Sequence, residues 1–143
     1  MALLSSLSQS TMSQSIDTKK QKSWLKAKVI TGNKLGRQIG YPTLNLDNPN
    51  LLNDQPEGVY GCLVKIDKQI YKGLLYYGPR LILQETKKIL EIFVFDFDLN
   101  IYGKVIYFQM LDYIRPVIKF VSINSLKKQL DSDCRIASKI LLK

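Results

Sequence analysis

Gly58-Val59-Tyr60-Gly61-Cys62-Leu63-Val64-Lys65-Ile66-Asp67-Lys68-Gln69-Ile70-Tyr71-Lys72-Gly73-Leu74-Leu75-Tyr76-Tyr77 reads as two apolar, β-rich runs separated by Asp67-Lys68. Side chains of this kind fit a pleated, half-buried surface. A two-residue break between such runs predicts a hairpin, here without the glycine that the turn favours. On its C-terminal side, Gly78-Pro79-Arg80 interrupts the pattern, and Lys88–Asp96 restores it with Ile, Phe and Val. Asn100–Gly103 predicts a turn, and Lys104–Ile114 is the longest strand pattern. Arg115-Pro116 ends it, because proline cannot serve a central ladder. On the N-terminal side, Asp47–Glu57 has loop chemistry, with two prolines and three asparagines. A short strand is predicted at Thr43–Leu46, and another at Trp24–Thr31, where Lys26 and Lys28 alternate with Leu25, Ala27 and Val29.

The tail has a different period. Ile123, Leu126, Leu130, Cys134, Ala137 and Leu141 recur every three or four residues, which is one face of an amphipathic helix. Ser122 is placed to cap it, although no capping-box acid follows at Ser125. Many short strands with one packing helix predict a mainly β fold. The expected architecture is a closed or nearly closed antiparallel barrel of about six strands with a C-terminal helix. Residues 1–22 are rich in Ser, Gln, Thr and Lys and are expected to form a disordered leader, with one barrel domain over 23–143.

The 143 residues suffice for one domain with a real core. Net charge is +9, from 21 basic and 12 acidic residues, which favours polyanionic partners, nucleotides included. The lysines are scattered and form no arginine-rich stripe, so nucleic acid is not the expected partner. No apolar run is long enough for a membrane helix. A cytoplasmic location is expected, with organelle import by the leader as the alternative. The two cysteines, Cys62 and Cys134, are expected to be buried free thiols. There is no histidine, which excludes Ser-His and Cys-His catalysis and His-ligated metals. Any general base is therefore a carboxylate, lysine, tyrosine or cysteine.

Chemistry concentrates in Gly32-Asn33-Lys34-Leu35-Gly36-Arg37-Gln38-Ile39-Gly40-Tyr41-Pro42-Thr43-Leu44-Asn45-Leu46. Glycines at that density let backbone approach a ligand closely. Successive free N–H groups in such a bend suit phosphate. If a strand begins at Thr43, Thr43 and Asn45 share a face, giving two neutral oxygens side by side, as magnesium prefers. A second candidate is Glu91, which shares a strand face with Ile89, Phe93 and Phe95. A carboxylate among apolar residues is costly without a task or a partner. It is either a general base or a strand-end glutamate paired with a lysine.

Gly36-Arg37, Gly40-Tyr41-Pro42-Thr43 and Asn45-Leu46 together match the pattern G-x-x-x-G-R-x-x-G-[FY]-P-T-x-N-L, through which the chain resembles the riboflavin kinases. The family's E-x-H-x-x-D-F is met by Glu91, Asp96 and Phe97, with Phe93 in place of the histidine. Its D-L-Y-G turn is Asn100-Ile101-Tyr102-Gly103. Its R-P-E-x-x-F is Arg115-Pro116-Val117-Ile118-Lys119-Phe120, with Val117 for the glutamate. Leu126, Gln129, Leu130, Asp133 and Ala137 match its C-terminal helix pattern. Its G-V-x-N-I-G-x-R-P-T-F keeps Gly73, Gly78 and Arg80 but has Tyr76 for the asparagine and Leu81-Ile82 for Pro-Thr.

The resemblance implies a riboflavin kinase-like Greek-key barrel that phosphorylates the 5′-hydroxyl of riboflavin with ATP, giving FMN and ADP. It implies Glu91 as the base, and Thr43 and Asn45 as ligands of Mg2+. It places Gly32, Leu35, Gly36, Arg37, Gly40, Tyr41 and Pro42 at the nucleotide, and Arg115, Phe120 and Asp133 at the flavin. No tightly held prosthetic group is expected, and a monomer is. Two rivals stand beside this reading. One is a degenerate module that binds flavin or nucleotide without turnover, which the departures at Tyr76, Leu81, Ile82 and Phe93 favour. The other is a small basic barrel that binds RNA or protein, which requires exposed aromatics among lysines, with Lys72 and Tyr76 as its only hint.

Overall fold

The structure, a computed structural model, describes residues 23–32 and 34–141. The leader expected at 1–22 lies outside these residues. Strands β1 (Leu25–Ile30), β2 (Leu44–Leu46), β3 (Gly58–Ile66), β4 (Gln69–Pro79), β5 (Lys88–Val94) and β6 (Val105–Arg115) form a closed barrel. Helix α1 is a single turn, Leu35–Gln38, and α2 runs from Ile123 to Leu141. Short 3₁₀ turns lie at Pro49–Leu52 and Leu81–Leu83. The order around the barrel is β1-β2-β5-β4-β3-β6, with β6 closing on β1, and every pairing is antiparallel. β3, β4 and β5 are consecutive neighbours, while β2 lies beside β5 and β6 beside β3. That is the Greek-key arrangement.

Alternation along each strand sorts the side chains into two layers. Val29, Leu46, Val64, Leu75, Leu90, Ile92, Ile106 and Phe108 point inward and are buried. They fill the barrel, because a six-strand barrel is too narrow for anything but side chains. A second apolar layer lies outside the wall. Val59, Leu74, Phe93 and Phe95 face out and are covered by Leu130, Cys134, Ala137 and Leu141 of α2. Both cysteines are free, and burial pushes the Cys62 thiol well above its usual range and Cys134 to about 11. Among the described residues no helix is long and apolar enough to cross a membrane.

Helix α2 starts where Ser122 predicts, and its cap is reciprocal. The Ser122 hydroxyl accepts the Ser125 N–H at 3.1 Å, and the Ser125 hydroxyl accepts the Ser122 N–H at 3.2 Å. Serine thus fills the position a capping-box acid would take. The helix is fastened to β6 by a buried ion pair. Arg115 Nε donates to both oxygens of Asp133, at 3.0 and 2.9 Å, and its Nη2 lies 2.8 Å from Oδ2. Gln129 Nε2 adds a further bond to Asp133 Oδ1 at 2.9 Å. Asp133 is fully buried and Arg115 nearly so.

Removing one member of such a pair strands the other charge, at a cost of about 3–5 kcal/mol. Asp133→Ala should therefore lose that much stability in denaturant titration. The double variant Arg115→Met/Asp133→Leu should recover most of it. A loss under about 1 kcal/mol in the single variant would place the pair among ordinary surface salt bridges.

Candidate active site

The pairing registers set one row of residues across five strands. Asn45 on β2 is opposite Glu91 on β5, Glu91 opposite Tyr76 on β4, Tyr76 opposite Val59 on β3, and Val59 opposite Arg115 on β6. The neighbours of these positions, such as Leu46, Leu75 and Ile92, point into the barrel. The row therefore faces outward, toward α2. Between this face and α2 lies a cleft with about 100 Å³ of water-accessible space. Thr43, Tyr76, Arg80 and Glu91 form its polar end, and Phe93, Phe120 and Leu130 belong to its apolar walls.

Glu91 sits at the polar end with its side chain 20% exposed. The Thr43 hydroxyl donates to its Oε2 at 3.0 Å. Arg80 Nη2 lies 3.3 Å from the same oxygen and donates to Asn45 Oδ1 at 2.5 Å. One guanidinium thus joins the proposed base to a proposed metal ligand. Glu91 is partnered, but by an arginine from the loop after β4, not by the strand-end lysine that its sequence setting allowed. Tyr76 lies beside Glu91, and its hydroxyl donates to the Pro79 carbonyl, folding the corner that carries Arg80. Burial, with the Glu91 carboxylate adding to it, pushes the Tyr76 hydroxyl up to about 12, so it stays a donor.

The glycine-rich segment is a compact turn. The N–H groups of Ile39 and Tyr41 both reach the Gly36 carbonyl, and that of Gly40 reaches Arg37. Any amide offered to a phosphate therefore comes from the start of the turn. A side chain at Gly36 would meet the Tyr41 carbonyl oxygen at 2.1 Å. At Gly32 a Cβ would lie 2.1 Å from the Asn45 amide nitrogen. Gly32 is thus small because the Asn45 side chain occupies its space.

The other expected residues divide by position. Leu35, Gly36 and Tyr41 line the cleft. The Tyr41 hydroxyl donates to Asp131 of α2, and its ring packs edge-on against Phe93 at 5.2 Å. Arg37 and Pro42 face a shallow recess on the other side of Thr43. Among the described residues, the Arg37 side chain there makes an exposed ion pair with Asp98 at 3.6 Å. Gly40 closes the turn. Arg115 and Phe120 line the cleft, with the guanidinium 5.7 Å from the ring centre. Asp133 does not reach the cleft surface; it acts on the site through Arg115. Arg80 is the residue the sequence reading left without a role. Its signal was an arginine kept in an otherwise altered segment, directly after Gly78-Pro79.

A family model described as Riboflavin kinase matches residues 20–141. The chain belongs to the riboflavin kinase family. Over 114 residues it is 39% identical to the Trifunctional protein RibF/MnmA of Mycoplasmoides gallisepticum, covering 80% of this chain and 17% of that protein. It is 38% identical to the Bifunctional riboflavin kinase/FMN adenylyltransferase of Haemophilus influenzae, over 77% of this chain and 36% of the relative. The RNA-binding riboflavin kinase RibR of Bacillus subtilis is 37% identical over 78% of this chain and 48% of its own length. The chain thus spans between about a sixth and about a half of these curated relatives. The riboflavin kinase of Trypanosoma brucei shares the fold, with a TM-score of 0.61 and 22% identity over 84% of this chain and 80% of that one. The Macrolide-efflux Protein structure from Streptococcus pneumoniae matches with a TM-score of 0.68 and 34% identity, covering 80% of this chain and 38% of that one.

The placement of Gly32 gives a test specific to this geometry. Gly32→Ala should displace the Asn45 carboxamide from the position in which it would meet the metal, at little cost in folding because only a side chain must move. MgADP affinity should fall roughly tenfold or more, the scale of one lost bond to a charged partner. Calorimetric titration with a thermal melt on the same sample reads both. An unchanged affinity would show that the position of Asn45 is unimportant to nucleotide binding.

Proposed function

We propose that this domain transfers the γ-phosphoryl group of ATP to the 5′-hydroxyl of riboflavin, giving FMN and ADP. The observation that carries this reading is the bonding of Thr43, Glu91 and Arg80 at one end of a largely apolar cleft, with Asn45 held to Arg80 just behind it. Phosphoryl transfer needs little covalent chemistry from the protein and much positioning and charge neutralisation. In this reading the apolar walls, with Phe93 and Phe120, take the flavin ring, and the ribityl chain runs toward Glu91. Glu91 accepts the proton of the 5′-hydroxyl as the new P–O bond forms and the bond to the β-phosphate oxygen breaks. The Thr43 hydroxyl and the Arg80 guanidinium, both bonded to Oε2, hold the carboxylate in place for this.

The donor set fits magnesium. Thr43 Oγ1 and Asn45 Oδ1 are hard, neutral oxygens next to a carboxylate. Among the described residues no group of three His, Cys, Asp or Glu side chains could hold an ion by itself. Most of the ligands must then come from water and nucleotide, as is usual for magnesium at phosphates. When bound there, Mg2+ neutralises charge on the phosphate oxygens. The cleft is smaller than the ~300–1,000 Å³ of typical ligand pockets, so in this reading its walls part as riboflavin enters. Tyr76 is packed beside Glu91 and is not itself an exposed aromatic among lysines.

Glu91→Gln keeps size and polarity but removes the proton acceptor. The phosphorylation rate should drop by about 10²–10⁴-fold with riboflavin affinity little changed. Turnover within a few-fold of the unaltered protein would remove Glu91 from the role.

Thr43→Val keeps the β-branched shape and loses the hydroxyl. MgADP affinity should fall while the melting temperature holds. Lower stability with normal MgADP affinity would mean that Thr43 serves only to hold Glu91 and close the turn after Pro42.

A further inference from the structure

We propose that Arg80 is a nucleotide-phosphate ligand of this site, and that without nucleotide it closes the cation position, so that metal is admitted only together with the polyphosphate. The inference rests on the phosphotransfer reading and goes beyond it.

Asn45 Oδ1 already accepts Arg80 Nη2 at 2.5 Å. A magnesium ion on that oxygen would stand about 2.1 Å from it, within close repulsion of the guanidinium. Lysine or histidine could escape by losing a proton, but arginine cannot. The same guanidinium lies against Glu91 Oε2 and offsets the carboxylate charge that would otherwise attract a cation. With Arg80 in place, the oxygens around Thr43 and Asn45 are unattractive to a bare divalent ion.

A polyphosphate reverses this balance. Its oxygens match the planar fork of arginine better than a single amide oxygen does. They also bring the negative charge that lets a guanidinium and a metal ion coexist. Arg80 is poised for the exchange. It lies at the cleft with its side chain only 13% exposed, at the head of the 3₁₀ turn Leu81–Leu83. Its Nη1 is 3.7 Å from Glu85 Oε2, a half-exposed carboxylate that can balance the guanidinium once it leaves Asn45.

The test uses Mn2+ alone and Mg2+ with ADP as probes, on the full chain and on Arg80→Met. Free Mn2+ is followed by its electron paramagnetic resonance signal, and MgADP by calorimetry. Arg80→Met should bind bare Mn2+ at least tenfold more tightly than the unaltered protein. It should also bind MgADP roughly 10- to 100-fold more weakly, as expected for loss of a charge-assisted contact. Arg80→Lys, which keeps a charge but lacks the planar fork and can give up its proton, should fall between the two proteins in both affinities. A merely structural role would weaken both ligands together and lower the melting temperature.

Bare Mn2+ bound by the unaltered protein at micromolar concentration overturns the inference, whether or not the variant folds. If the unaltered protein binds MgADP but Arg80→Met shifts the two affinities in the same direction or not at all, the inference alone fails. If the unaltered protein does not bind MgADP, the phosphotransfer reading fails with it.

Discussion

A fully buried aspartate on an amphipathic helix is stable only when its charge is met, and here the whole site hangs on that pairing. Asp133 is met by Arg115 through its Nε and Nη2 atoms and by Gln129 from the preceding turn. Arg115 ends β6 and stands at one end of the row that crosses five strands. Asp133 therefore does more than seat α2 on the barrel: it sets the distance between Leu130 of the helix and Val59 and Leu74 of the wall. It also fixes the guanidinium that lies over Phe120. The carboxylate that family resemblance assigns to the flavin does not line the cleft here and reaches it only through Arg115.

The position of the cleft follows from barrel size. Six strands enclose a space that their own inward side chains fill. A cleft must then lie outside that interior, and on the outer face it needs a second wall. Helix α2 and the segment leading into it supply that wall, and Tyr41 ties the glycine-rich turn to the helix through Asp131. The polar end of the cleft gathers Thr43 ahead of β2, Glu91 on β5 and Arg80 after β4, with Asn45 on β2 bonded to Arg80 behind them. None of these is near another in sequence except Thr43 and Asn45. Antiparallel register alone makes Asn45, Glu91 and Tyr76 neighbours.

Local features were therefore legible and non-local ones were not. The hairpin at 58–77, the amphipathic tail and the inward and outward sides of each strand follow from periods of 2 and 3.6, and β3 and α2 have the expected limits. β4 runs to Pro79, past the expected break at Gly78, because a proline at a strand end can pair with Lys88 without donating. β5 stops at Val94, two residues early, and Asp96 adopts φ 58°. Strand order was beyond reach, because pairing β2 with β5 depends on closing the barrel. Arg80 was passed over for the same reason. As a loop charge it looks solvated, and only the approach of β2 and β5 gives it two acceptors. The glycine-rich segment looked like an open concavity, yet the amides of residues 39–41 are spent within its own turn.

The departures from the family pattern can be weighed by where they fall. Tyr76, Leu81, Ile82 and Phe93 all line the cleft, and each is packed there. Phe93 takes the place of a histidine and forms an aromatic run with Tyr41 and Phe95, with ring centres 5.2 and 5.6 Å apart. Tyr76 takes the place of an asparagine and uses its hydroxyl to hold the Pro79 carbonyl, which fixes the corner before Arg80. Val117 takes the place of a glutamate and packs toward Gly78 in that same corner. The changes thus sit around one patch of wall and support the arginine at its edge. Degeneration would scatter substitutions and leave charged groups without partners. Here Thr43, Asn45, Glu91 and Arg80 remain bonded to one another. The replacements change the lining of one wall and leave Thr43, Asn45, Glu91 and Arg80 in contact with one another.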